Sequence, residues 1–276
     1  MEKQTYKFNN EIEELEVKSL GAKIIIQPYE EKELLAEYSN PKDKPEFCAV
    51  LQGKKLTLKE KSFLDIIGNK PAEDYTITVF LPKKMYAAIS VNTASGGVDI
   101  GGVSADKFDL KTASGDITVN GDFDNITVKT ASGNVKISNE KTVKSLDICT
   151  VSGSVETDIK AEKYSVSSVS GTTKLLSASG EGKVSVTSGN VDVNYADWNA
   201  DLQVSVVSGS VEIHLPDGSG TDLEFSGVGG SLKTDIGSEK GKLMNMGVGT
   251  NGHFGGNNTH KLSLSLTSGT VKVLQQ

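Results

Sequence analysis

The dipeptide Ser-Gly recurs along this chain at a nearly fixed step. The regular series is Ser95-Gly96, Ser114-Gly115, Ser132-Gly133, Ser152-Gly153, Ser170-Gly171, Ser188-Gly189, Ser208-Gly209, Ser226-Gly227 and Ser268-Gly269, with Ser179-Gly180 and Ser219-Gly220 off the beat. Successive intervals are 19, 18, 20, 18, 18, 20 and 18 residues, and the last is 42, about two steps. A period near 20 residues is the signature of a solenoid, in which each repeat stacks on the one before.

The flanks of the dipeptide say what each repeat contains. Before it stand alternating apolar residues, such as Ile126 and Val128, or Val184 and Val186. After it stands a second alternating pair, such as Val135 and Ile137, or Val191 and Val193. Alternation rich in Val and Ile predicts two short strands, each with one buried face. Across Ser-Gly the buried positions change parity: Ile126 and Val128 are even, Val135 and Ile137 odd. A straight strand cannot do this, so the chain must bend or bulge there. Glycine suits a corner that needs positive φ or leaves no room for a Cβ. Neighbouring Ser or Thr hydroxyls can bond local backbone groups. Polar connections at 120–125, 139–145, 158–163 and 196–200 then read as outer loops that close each coil.

No repeat carries a helical apolar pattern, which disfavours leucine-rich and α-helical solenoids. The expected fold is therefore all-β: a single-chain parallel β-helix-like solenoid of about 18–20 residues per coil. Residues 1–90 lack the beat but remain strand-rich, and read as an N-terminal cap continuous with the solenoid of 91–276. Strands are expected at 15–17, 23–28, 33–38, 55–59 and 75–81, with loops at 42–45 and 68–74. The apolar patch 63–67 has no assignment. Between Gly227 and Asn258 glycine crowds the sequence, predicting irregular coils at 227–258 or a loop whose backbone approaches a ligand. Gly247-Val248-Gly249 lacks the Gly-Lys-Ser/Thr ending of a phosphate loop.

Composition narrows the function classes. Net charge is -7, and all 29 basic residues are lysines. With no arginine to make bidentate contacts, and an acidic balance, nucleic-acid binding is disfavoured. Cys48 and Cys149 read as buried or half-buried free thiols, with His214, His253 and His260 distant in sequence. Residues 1–20 have no apolar segment of the signal-peptide kind, and no apolar run of about 18 residues predicts membrane insertion. The expected location is cytoplasmic, or the cell surface or exterior if an export signal has been removed.

The coils of strand, Thr/Val, Ser-Gly and strand resemble a bacterial family of candidate adhesins, domain of unknown function 4097. They follow a Lys23-Ile24-Ile25-Ile26 start and Val79-Phe80-Leu81-Pro82, with Thr93-Ala94-Ser95-Gly96 shortly after. The resemblance runs from Glu11 to Leu274. It implies a β-helix-like fold and supplies no catalytic residues to carry over.

The expected function is a non-catalytic scaffold or adhesin-like binding module for a protein or carbohydrate ligand. Outward strand positions Asp109, Lys111, Lys129, Lys136, Glu156 and Glu212 form an ordinary mixed-charge face. No catalytic, cofactor or metal site is assigned. A polysaccharide-active β-helix enzyme is the alternative, since right-handed β-helices host lyases and hydrolases; a hydrolase needs two carboxylates about 5 to 9.5 Å apart. Asp99 and Asp116 follow successive corners, and Asp122 and Asp124 share a connection. A calcium β-roll would need Gly-Gly-x-Gly-x-Asp in each turn, of which Gly115-Asp116 and Gly121-Asp122 are only echoes. A threonine ladder for ice is disfavoured because Thr and Ser cluster at corners. Self-association through a coil end or lateral face is expected from exposed strand edges.

Overall fold

The computed structural model describes residues 2–8, 11–40, 47–60, 75–237, 243–256 and 259–276. The expected loops at 42–45 and 68–74 and the patch at 63–67 lie outside the described residues. The fold is all-β, with twenty-one strands and no helix among the described residues. The chain divides into two compact units, Met1–Gly133 and Asn134–Gln276.

Unit 1 contains β1 (Glu2–Phe8), β2 (Glu14–Ser19), β3 (Lys23–Tyr29), β4 (Leu34–Asn40), β5 (Phe47–Gln52), β6 (Lys55–Glu60), β7 (Thr76–Pro82), β8 (Met85–Thr93), β9 (Val98–Thr112) and β10 (Ile117–Ser132). β8 pairs with β9 in parallel, stacking Ile89 on Phe108 and Val91 on Leu110. β9 pairs with β10 in the same sense, stacking Val98 on Ile117 and Leu110 on Val128. Each residue thus meets its counterpart one period later. The segment 120–125, expected as an outer loop, lies inside β10, where Asn120 faces Gly101 and Asn125 faces Lys107. Burial explains the difference: Phe123 is 2% exposed and stacks on Phe108 at 4.9 Å between ring centres.

Coils begin before the first Ser-Gly. β2 pairs in parallel with β8 (Leu15 with Ile89, Val17 with Val91), and β3 with β9 (Ile24 with Val98, Ile26 with Ile100). The corner between β2 and β3 is held by other means. Glu60 accepts bonds from Ser19 Oγ at 3.0 Å and from the Leu20 N–H at 2.7 Å. The Gly21 N–H donates to the Tyr75 hydroxyl at 3.1 Å. On the side of this coil away from β8 and β9, β6 and β7 run parallel to β2 and β3. β5 and β4 then return antiparallel to β6 and β7, and β1 pairs antiparallel with β4. The segment β4–β7 is therefore a hairpin bent across both strands of the coil.

Unit 2 contains β11 (Val135–Ser138), β12 (Val143–Ser152), β13 (Val155–Asp158), β14 (Ala161–Ala178), β15 (Glu181–Tyr195), β16 (Leu202–Leu215), β17 (Gly220–Gly227), β18 (Ser231–Thr234), β19 (Met244–Met246), β20 (Asn251–Gly255) and β21 (Thr259–Gln275). β12, β14, β15 and β16 stack in parallel in chain order. The order then breaks. β16 pairs with β21, with Val204 on Leu264 and Val211 on Val271. β17 and β18 lie on the far side of β21, with Leu223 on Leu262 and Leu232 on Val271. β20 and β19 return antiparallel to β17 and β18. The described part of the glycine-rich segment thus supplies one strand, β18, parallel to β21, and an antiparallel outer layer, β19 and β20. Its composition explains why it stays outside: residues 243–256 offer few core-forming side chains, whereas β21 buries Leu262, Leu264, Leu266, Val271 and Val273, each at most 2% exposed.

The corners confirm the parity argument and add a cause. In β15, Val186 and Val191 are buried while Thr187, Ser188 and Asn190 are exposed. Gly189 has φ +149°, and a Cβ there would collide with the Gly171 carbonyl of the coil below. In five coils a buried hydroxyl two residues earlier ties down the serine carbonyl. Thr93, Thr112, Thr130, Thr150 and Ser168 donate to the carbonyls of Ser95, Ser114, Ser132, Ser152 and Ser170 at 2.6 to 3.2 Å. Val186, Val206 and Leu266 take that place in β15, β16 and β21, which run unbroken through the corner, as does β14 with its Ser168 hydroxyl.

Candidate functional site: a groove across the strands of unit 2

Because the strands stack in register, outward side chains form rows that cross them. One row is Ser145, Lys163, Glu181, Asp201 and Lys261; the next is Asp147, Ser165, Lys183, Gln203 and Ser263. These rows line an open groove of about 570 Å³ across β12, β14, β15, β16 and β21. A second depression of about 260 Å³ shares Gln203, Lys261 and Ser263 and carries the surface on to Glu224 and Ser226 of β17.

Two of the three lysines of the groove are paired with carboxylates. Lys163 Nζ lies 2.9 Å from Glu181, and Lys261 Nζ lies 2.9 Å from Glu224. The hydrogen bond and charge of each carboxylate hold its lysine above the ordinary value. Asp201 accepts the Lys261 N–H at 2.8 Å and has His260 Nδ1 at 3.9 Å.

Beneath the rows the backbone is fixed by an aromatic cluster. In the inward column Leu146, Tyr164, Gly182, Leu202, only Gly182 brings no side chain. The Tyr164 ring fills that space, and a Cβ on Gly182 would strike its Cζ. Its hydroxyl meets that of Tyr195 at 2.6 Å. Burial and the neighbouring phenol push the Tyr164 hydroxyl well above its ordinary value. Tyr195 packs edge-on against Trp198 at 4.8 Å, and Trp198 Nε1 donates to the Gly220 carbonyl at 2.9 Å.

The groove therefore offers hydroxyl, amide, ammonium and carboxylate groups on a rigid floor. The acidic pairs read from the sequence fare differently. Asp99 stands opposite Thr118, so it does not stack on Asp116, whose carbonyl accepts the Val98 N–H at the corner. Asp122 faces Ser104 in the paired part of β10, with Asp124 two residues on. Among the described residues no three His, Cys, Asp or Glu side chains are grouped as metal ligands. The mixed-charge face is as expected: Lys111 lies 3.5 Å from Asp109, Lys136 2.8 Å from Glu156 and Lys272 3.3 Å from Glu212. Cys48 and Cys149 are free thiols. Cys149 is exposed rather than buried, because it takes an outward position in β12.

The groove itself was missed at the sequence level, although a signal existed. Its two rows stand seven and five residues before the serines 152, 170, 188, 208 and 268.

No curated protein matches the chain. Among solved structures, a candidate adhesin from Parabacteroides distasonis is similar at 16% identity and TM-score 0.52, over 99% of this chain and 97% of that chain. That likeness establishes a shared fold. A candidate adhesin from Bacteroides fragilis is 15% identical over 99% of this chain and 97% of that one, with TM-score 0.44. A candidate lipid-binding protein from Parabacteroides distasonis is 14% identical over 98% and 96%, with TM-score 0.41. The model of the family described as Toastrack DUF4097 matches residues 12–274, and the chain belongs to that family.

Proposed function

We propose that this chain is a non-catalytic binding module built as a parallel β-helix-like solenoid, and that the groove of unit 2 receives its ligand. The observation that carries this reading is the groove's make-up: two registered rows of outward polar groups, with two of three lysines ion-paired, on a floor of parallel strands. Catalysis needs a base or nucleophile with an altered proton affinity or an isolated carboxylate pair. The lining residues with raised proton affinity are Lys163 and Lys261, each held cationic by a carboxylate, and the buried Tyr164. Coil-on-coil pairing at the Ser-Gly period supports the solenoid reading, with residues 1–90 as its cap region. The fold shared with a candidate adhesin is consistent with a binding role.

The test is amide-resolved NMR of the labelled protein against soluble glycans and peptides, with product analysis of each mixture. Shifts gathered on residues 145–147, 163–165, 181–183, 201–203 and 261–263, without product, are the expected outcome. Turnover of any probe removes the non-catalytic reading, and shifts confined to other faces remove the groove.

A further inference from the structure

Resting on that reading, we infer that the groove's ligand is an uncharged, polyhydroxylated chain, a neutral linear polysaccharide, lying across the strands along the rows. Three observations lead there. First, the electrostatics select against ions. The lining groups Lys163, Lys183 and Lys261 are offset by Asp147, Glu181, Asp201 and Glu224, and two of the lysines are already engaged by carboxylates. A phosphate or sulfate chain would have to displace those carboxylates, and the chain contains no arginine to form a bidentate clamp.

Second, the uncharged groups are of the kind that bind alcohols. Ser165, Gln203 and Ser263 share one row with Asp147 and Lys183, and Ser205, Ser265 and Ser226 continue in the adjoining depression. Hydroxyls and amides both donate and accept, as sugar hydroxyls require. The ammonium and carboxylate groups between them give stronger, charge-assisted bonds to hydroxyls.

Third, the geometry is that of an elongated ligand. Successive strands are about 4.8 Å apart, so the six strands from β12 to β17 extend the surface over about 24 Å. Each strand presents the same two outward positions, so an elongated ligand meets polar partners at regular intervals. The one aromatic residue of the lining, Tyr164, is 6% exposed and its ring is folded inward. Binding therefore rests on hydrogen bonds rather than ring stacking. Each bond is weak in water, and affinity accumulates with the number of strands engaged.

The experiment is calorimetric or NMR titration with neutral β-linked gluco-oligosaccharides from disaccharide to octasaccharide. A sulfated polysaccharide and an uncharged extended peptide serve as competing classes. Affinity is expected to rise with length until the chain spans the six strands and to stay level beyond. It is expected to change less than about twofold on raising salt, because no net charge is neutralised. Gln203→Ala and Ser263→Ala are each expected to weaken binding about fivefold, while Lys136→Ala on another face leaves it unchanged. If the sulfated chain or the peptide shifts the groove and no oligosaccharide does, this inference is overturned while the groove remains the site. If no probe shifts the groove and one shifts another face, the proposed site falls with it.

Discussion

Gly189 stands directly over Gly171, with the Gly171 carbonyl occupying the space that a Cβ on Gly189 would need. The same contact recurs along the column: Gly171 over Gly153, Gly209 over Gly189 and Gly269 over Gly209. The obstacle is backbone, which cannot rotate away. Gly189→Ala is therefore expected to cost about 3 kcal/mol, combining an unfavourable φ with a collision in a packed ladder. Gly247 is the control, because among the described residues no atom beyond its chain neighbours lies within 4 Å of where its Cβ would stand, and its φ is not positive. Gly247→Ala should stay within about 0.5 kcal/mol of the parent. Urea denaturation followed by emission of Trp198, the single tryptophan, reads both variants in unit 2.

Two buried threonines should respond oppositely to the same substitution. Thr173 is fully buried in a column with Val155 and Val191, and its Oγ1 has no hydrogen-bond partner among the described residues. Thr173→Val removes an unsatisfied polar atom at nearly constant volume and should stabilise by about 1 kcal/mol. Thr130 Oγ1 donates to the Ser132 carbonyl at 2.9 Å at a corner. Thr130→Val should destabilise by about 1 kcal/mol. Equal signs for the pair in denaturation would contradict the assignment of the corner hydroxyl.

The tyrosines set an alkaline limit. Burial raises the hydroxyls of Tyr38, Tyr75, Tyr86, Tyr164 and Tyr195 above the ordinary value near 10. In the unfolded chain they ionise near pH 10, while in the fold they keep their protons. Above that pH the folded state binds more protons, so stability falls as pH rises, by about 1.4 kcal/mol per pH unit for each tyrosine held neutral. Below pH 10 their contribution is fully present. Ultraviolet titration should show these five ionising together with the loss of structure rather than before it.

Glu60 replaces the missing Ser-Gly at the corner between β2 and β3. Its carboxylate accepts from Ser19 Oγ and the Leu20 N–H, and its charge contributes to keeping Tyr38 and Tyr75 protonated. Glu60→Gln weakens two charge-assisted bonds and should destabilise by about 1.5 kcal/mol. Hydrogen exchange should report the loss first at Leu20 and Gly21.

Sequence alone carried the coil a long way. The parity change between Val128 and Val135 required a corner, and Val-Ile alternation placed the strands on either side. Even the groove rows are countable from each Ser-Gly. Three things were not legible. The first coil hides because Glu60, forty residues from Leu20, does the work of a local hydroxyl. The segment 120–125 looks polar but buries Phe123, a tertiary demand that local composition does not show. The pairing of β16 with β21 breaks nearest-neighbour stacking, and no periodicity distinguishes Val204 meeting Leu264 from Val204 meeting Phe225. That choice is made by whole-coil packing. Since Lys261 and Ser263 belong to β21, the far end of the groove was equally out of reach.

The placement of β21 has a consequence for how unit 2 assembles. β16 and β17 are both synthesised before it, yet it lies between them, bonded to β16 at a separation of 60 residues. A nascent chain that zips coil upon coil in order reaches β16 and meets an exposed apolar edge with β17 as the nearest strand to cover it. Closing that gap early gives a compact but wrong partner. The native arrangement forms only when the later strand enters, after the loop-closure entropy of a long intervening segment has been overcome. Completion of unit 2 is thus its least local step, and a chain halted before it would leave the edge of β16 open to pairing with another chain.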